Sequence, residues 1–276
     1  MLKNKTILAI LMLLCTNVFA QVKQPANSDS NFVFYKLIKG KFNAVNVDML
    51  GNIYVVTETN QLKKLNSNGD SLGSFNDVKK FGTVSSIDVS NPLKVLLFYK
   101  NYGNVVFLDR QLVFRNSFNV KQQNLFKVKI IANAYDNNNW IYDEQDFKIK
   151  KIKDNGATIT ETTDLRQVFD AAPIPTKIID DKSSLYLYDA QKGLFVFDYY
   201  GSLKQKIPLR GWSSIAIANN TVLGISGDVL NNYDIKTLLT KTYKLPAFFS
   251  GYKDIIALNG KIYLLKNTGV EIYTIQ

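Results

Sequence analysis

The chain has 276 residues, with 34 Lys and Arg against 23 Asp and Glu, one Cys and no His. Without His, and with its Cys inside the first twenty residues, it lacks the usual ligands for zinc, haem or iron–sulfur groups and the usual general base near neutral pH. The formal charge of +11 is dispersed along the sequence, unlike the dense basic stripe of a nucleic-acid reader.

Residues 1–20 read as a secretory signal: Lys3 and Lys5 make a basic start, 7–14 is apolar, and Val18-Phe19-Ala20 precedes a cleavage point before Gln21. Cys15 follows Leu14, where a lipoprotein signal needs a small residue, so no lipid anchor is expected. Removing the segment takes away two lysines and no acid, lowering the charge from +11 to +9 (11 − 2) and the length to 256 (276 − 20). Residues 21–30 are expected to form a flexible leader, and 31–276 a single domain without a membrane span.

The domain alternates apolar and polar residues with period two, punctuated by Asn, Asp and Gly. An apolar strand at 32–38 comes first. A recurring unit follows, best seen in short apolar strands that start at 52, 94, 139, 184, 221 and 261, with spacings of 42, 45, 45, 37 and 40. The first unit comprises 44–48, 52–57, 61–65 and 71–75, with a tight turn at Asn66-Ser67-Asn68-Gly69. The second comprises 84–89, 94–99, 104–109 and 113–119, and the third 128–135, 139–143, 148–153 and 158–162. The fourth has 176–180, 184–189, 194–198 and 203–207, and the fifth 214–218, 222–226, 230–234 and 240–243. The sixth has three strands, 254–258, 261–265 and 270–275. Several strands per unit at this period predict an all-β, six-bladed β-propeller. The strand at 32–38 is then expected to pair with the last blade and close the ring, protecting an exposed edge. With 270–275 used as a blade strand, no separate sorting domain is expected at the C-terminus.

The run Asn46-Val47-Asp48-Met49-Leu50-Gly51-Asn52-Ile53-Tyr54-Val55, with Leu62-Lys63-Lys64-Leu65 and Asn68-Gly69, resembles the NHL type of propeller repeat, as does Gly193-Leu194-Phe195-Val196-Phe197-Asp198 with Gly201. Ser86-Ile87-Asp88-Val89-Ser90-Asn91-Pro92-Leu93-Lys94-Val95-Leu96-Leu97-Phe98-Tyr99, Val106-Phe107-Leu108-Asp109 and the 195–201 segment resemble exported propellers of the Bacteroidota, a family of unknown function. That resemblance implies a cell-envelope location, in the periplasm or at the outer membrane, and brings no catalytic residues with it. The fold alone carries no activity.

A second recurrence precedes each blade's first strand, where aromatic and cationic residues meet. These are Lys41 and Phe42, Lys80 and Phe81, Phe126 and Lys127, Arg166 and Phe169, Arg210 and Trp212, and Phe249 and Tyr252. Such connections converge on the channel mouth and form a candidate partner-binding ring, although each aromatic could instead wedge between blades. The expected partner is an envelope protein or a glycan, bound by a monomer or by a subunit of a hetero-complex, with no nucleic acid and no cofactor or metal. A competing expectation is a lactonase-like hydrolase or lyase using an axial divalent cation and oxygen ligands. Asp48, Asp88, Asp136 and Asp180 are its candidates, and as turn residues they have an alternative role. Neither a nucleophile elbow nor a phosphate loop is present, so catalysis is the lesser expectation. Asp70-Ser71-Leu72 fits a short O-glycosylation pattern.

Overall fold

The computed structural model describes residues 31–181 and 184–276. The export segment 1–20 and the leader 21–30 lie outside the described residues. Strand β1 (Phe32–Lys39) precedes blade one, formed by β2 (Phe42–Val47), β3 (Ile53–Thr57), β4 (Leu62–Leu65) and β5 (Ser71–Phe75). Blade two is β6 (Ser86–Asp88), β7 (Lys94–Tyr99), β8 (Asn104–Asp109) and β9 (Phe114–Asn119). Blade three is β10 (Val128–Asn133), β11 (Asn139–Asp143), β12 (Lys148–Ile152) and β13 (Thr158–Glu161). Blade four is β14 (Lys177–Asp181), β15 (Ser184–Asp189), β16 (Gly193–Phe197) and β17 (Leu203–Ile207). Blade five is β18 (Ser214–Ala218), β19 (Thr221–Ser226), β20 (Val229–Asp234) and β21 (Thr240–Lys244). The last elements are β22 (Asp254–Leu258), β23 (Lys261–Lys266) and β24 (Gly269–Ile275).

Each blade is a four-stranded antiparallel sheet, and in the sixth the strand order is β1-β24-β23-β22. The N-terminal strand therefore completes the last blade. It pairs along β24 from Phe32↔Ile275 to Lys39↔Gly269, with an irregularity between Phe34 and Lys36. The molecule is a six-bladed β-propeller. The first strands β2, β6, β10, β14, β18 and β22 line its axis, touching in succession from β6 through β10, β14, β18 and β22 to β2.

The core follows from this geometry. A middle strand is covered on both faces by neighbouring blades, so it reads as a continuous apolar run such as Val95-Leu96-Leu97-Phe98-Tyr99, all buried. An outer strand has a wet edge and face, so β9 and β21 are mostly polar and exposed. Six buried clusters result, one in each gap between blades. Tyr54 and Val56 of blade one meet Val95, Leu97 and Leu108 of blade two. Ile53 and Val55, on the opposite face of blade one, meet Tyr263, Leu265 and Ile272 of blade six. The closing strand adds Phe32, fully buried with its ring edge-on to Phe249 at 5.3 Å. Burying a ring of that size contributes roughly 2–3 kcal/mol.

The tight turns between third and fourth strands of blades one, two and four share one chemistry. Asn66, Asp109 and Asp198 each accept, through Oδ1, the backbone N–H groups two and four residues ahead. Gly69 and Gly201 supply the positive φ that this turn requires, and Leu112 adopts it at the equivalent place in blade two. One expected strand is shorter than its sequence suggests. β6 ends at Asp88, because the Asp88 carboxylate accepts the Ser90 N–H at 2.7 Å and turns the chain.

Candidate functional site

Because every first strand starts on the same face of the ring, the connections that enter the blades all gather there. They carry short helical turns at Val78–Phe81, Val120–Gln123, Leu165–Gln167 and Ala247–Phe249. The structure divides the twelve aromatic and cationic candidates into two groups. Phe42, Phe81, Phe169, Trp212 and Phe249 are buried, each within a cluster between blades. These five rings are spent on packing. Trp212 shows how tightly: its N–H donates to the Tyr188 hydroxyl at 2.8 Å, and that hydroxyl donates to the Trp212 carbonyl at 3.0 Å. Tyr252 is half-buried against the cluster between blades five and six. Phe126 is 55% exposed, and Tyr102, whose ring lies against Gly82, is 62% exposed.

The cations separate from the rings. Lys41, Lys80, Lys127, Arg166 and Arg210 are all exposed. Arg166 is held by Asp164, with Nε 3.0 Å from both carboxylate oxygens, and stacks over Phe147 at 4.5 Å. The Lys80 ammonium lies over the Phe81 and Phe114 rings at 4.8 and 5.3 Å. Among the described residues, Lys41, Lys127 and Arg210 make no ion pair. A long cationic side chain left without an acid beside a half-open aromatic surface is suited to an acidic partner.

The four candidate carboxylates are engaged locally. Asp48 accepts the Leu50 and Asn52 N–H groups at 2.9 Å, the Asn52 side-chain amide at 2.8 Å and the Tyr54 hydroxyl at 3.1 Å. Asp88 accepts the N–H groups of Ser90 and Asn133. Asp136 pairs with Lys151 at 2.5 Å. Asp180 accepts the Tyr135 N–H at 3.1 Å, the Trp140 indole N–H at 2.8 Å and the Tyr199 hydroxyl. Among the described residues, no group of three or more acidic side chains could hold a metal ion.

The axis holds a feature that the sequence reading missed. Register places Ala44, Ser86, Lys177, Ser214 and Asp254 on one tier of the first strands, each paired to the corresponding residue of its second strand. Lys177 reaches across the gap between blades to donate to the Ile215 carbonyl at 2.8 Å. Its side chain touches solvent but is surrounded by protein, as a channel lining should be, and burial lowers its pKa while Asp88 and Asp254 oppose that shift. Burial raises Asp254, against its own neighbour's Ile255 N–H and Lys177. The visible signal was a charge opening an apolar strand twice over, in Lys177-Ile178-Ile179 and Asp254-Ile255-Ile256.

No known protein family and no curated protein matches this sequence. Solved structures share its fold. A streptogramin B lyase superposes with a TM-score of 0.59 at 14% identity, over 91% of this chain and 90% of that one. A catalytically inactive virginiamycin B lyase from Staphylococcus aureus, with quinupristin, gives 0.57 at 14% identity, over 89% of each chain. A Bacteroides fragilis protein inferred to be exported gives 0.56 at 10% identity, over 92% of this chain and 97% of that one. At these identities the likeness is one of fold.

Proposed function

We propose that this propeller is a non-catalytic interaction module of an exported envelope assembly, in the periplasm or at the outer membrane. Its blade-entry face holds an acidic partner protein. The observation that carries this is the set of exposed cations without ion pairs, Lys41, Lys127 and Arg210, on the face that also leaves Phe126 and Tyr102 open. The resemblance to exported Bacteroidota propellers and the signal-like residues 1–20 support the location. Among the described residues no helix is long and apolar enough to cross a membrane.

The test is in-cell crosslinking of the tagged full chain, followed by purification and identification of what is bound. A triple reversal, Lys41→Glu, Lys127→Glu and Arg210→Glu, should abolish a specific crosslinked protein and reduce the salt dependence of its binding. A control reversal of three outer-strand lysines, Lys204, Lys241 and Lys244, should leave it in place. Recovery of the same protein by the triple variant removes this reading.

A further inference from the structure

On the opposite face, where first strands turn into second strands, a pocket of about 290 Å³ opens between blades two, three and four. It is walled by residues 90–92, 133–135 and Asp180. Its backbone and side-chain donors are nearly all committed. The Asn91 amide donates to Asn137 Oδ1 at 3.3 Å, the Ala134 N–H to the Asn138 carbonyl at 2.9 Å, and the Tyr135 N–H to Asp180. Pro92 has none to give. The Asn133 amide donates to the carbonyls of Lys94 and Asp88 at 3.2 and 3.4 Å, leaving Asn133 Oδ1 buried with no partner in a residue only 4% exposed. The Ser90 hydroxyl can turn either way.

What remains at this wall is acceptor capacity and negative charge. Of the lining residues, Asp180 carries a charge and has no ion pair among the described residues. The cations bonded into the same network are already matched, Lys94 to Asp154 at 2.6 Å and Lys151 to Asp136 at 2.5 Å. At the rim, Tyr135 is 70% exposed and offers a ring face. A buried carbonyl oxygen without a donor, an uncompensated carboxylate and an aromatic face share one complement, an ammonium group. A neutral polyol would need donors that this wall has already spent.

We propose that this pocket binds a primary ammonium, carried either by a free small amine or by a lysine of a partner. It lies on the other face from the blade-entry cations, so the two readings fail independently. The test titrates the isotope-labelled full chain with n-butylamine, with N-acetylated, C-amidated Gly-Lys-Gly and with the equally capped neutral control Gly-norleucine-Gly, following backbone amide shifts. Both amines should move the amides of Asn91, Ala134 and Tyr135, and the control should not. Asp180→Asn should weaken binding tenfold or more, as expected for a lost charge-assisted contact, roughly. Since Asp180 also anchors Trp140, the exposed Tyr135→Ala provides a variant safe for folding, expected to weaken binding about threefold. Gly-Lys-Gly binding well above n-butylamine assigns the pocket to a partner's lysine, and equal binding assigns it to a free amine. Silence toward both amines, an equal response to the control, or full affinity in Tyr135→Ala and Asn133→Leu together overturns the proposal.

Discussion

Gly269 stands where β24 begins its ladder with the closing strand β1, and a side chain there would overlap the carbonyl oxygen of Ile38. Its φ of +142 lies outside the range that L side chains favour. Both facts concern the one seam that joins the two ends of the chain. Gly269→Ala should therefore destabilise the propeller by about 2–4 kcal/mol, combining backbone strain with displacement of β1. Gly251 has a similar need for positive φ, but nothing lies near where its side chain would go. Gly251→Ala should cost only about 1 kcal/mol. Urea unfolding of both variants checks the difference, and equal losses would show that the seam is not the weak point.

Trp212 and Arg210 are two residues apart and do different work. A Cβ on Gly224 would fall inside the Trp212 indole, so strand β19 uses glycine to admit that ring. Trp212→Ala should lower stability by about 3–5 kcal/mol through the cavity it leaves. Arg210→Glu should change stability by no more than about 0.5 kcal/mol. Measured side by side, thermal unfolding should move only for Trp212→Ala, and partner capture should move for Arg210→Glu at a temperature where both are folded.

The number of blades and the closure by β1 were readable because middle strands are apolar runs at a regular spacing, and one such run, 32–38, had no unit of its own. The division of the blade-entry ring was not readable. Lys41-Phe42 and Phe126-Lys127 are both a cation beside an aromatic ring, in opposite order, yet Phe42 is buried and Phe126 is open. Which ring turns inward depends on the neighbouring blade, and no local pattern records that. The free oxygen of Asn133 was hidden for the same reason. Its amide is held by Asp88 and Lys94, about forty residues away, and only the assembled ring shows which atom is left over.

The axial charges should give stability a specific pH signature. Asp254 has a folded pKa above its ordinary 3.8, so its contribution is complete below that value and is lost as pH rises through the folded pKa. Lys177 has a folded pKa below its ordinary 10.5, so its contribution is present above 10.5 and is lost as pH falls through the folded pKa. The Lys177 charge is partly offset by Asp88 and Asp254, and the Asp254 charge by Lys177 and the Ile255 N–H. Asp254→Asn should flatten the stability curve on its acid side and Lys177→Met on its alkaline side. Urea midpoints from pH 4 to 10 check this, and a curve unchanged in both variants would place the two groups in ordinary solvent.

Blade three contains a charge pair whose energetics can be separated. Lys150 is 6% exposed and Asp143 1%, with Nζ and Oδ2 2.9 Å apart, and Asp146 is a second partner. Burial acts to lower the Lys150 ammonium, but Asp146 and Asp143 together hold it above the ordinary lysine range. Asp143 also accepts the Gln145 N–H at 3.0 Å, which fixes the turn after β11. Removing the lysine leaves a carboxylate buried without its cation, so Lys150→Met should cost about 3–5 kcal/mol. Replacing both charges removes the orphan as well as the pair. Lys150→Met with Asp143→Leu should regain most of that loss, because two desolvated ions and their attraction roughly cancel against apolar packing. A double variant no better than the single would mean that the Asp143 bond to the turn, and not its charge, is what blade three requires.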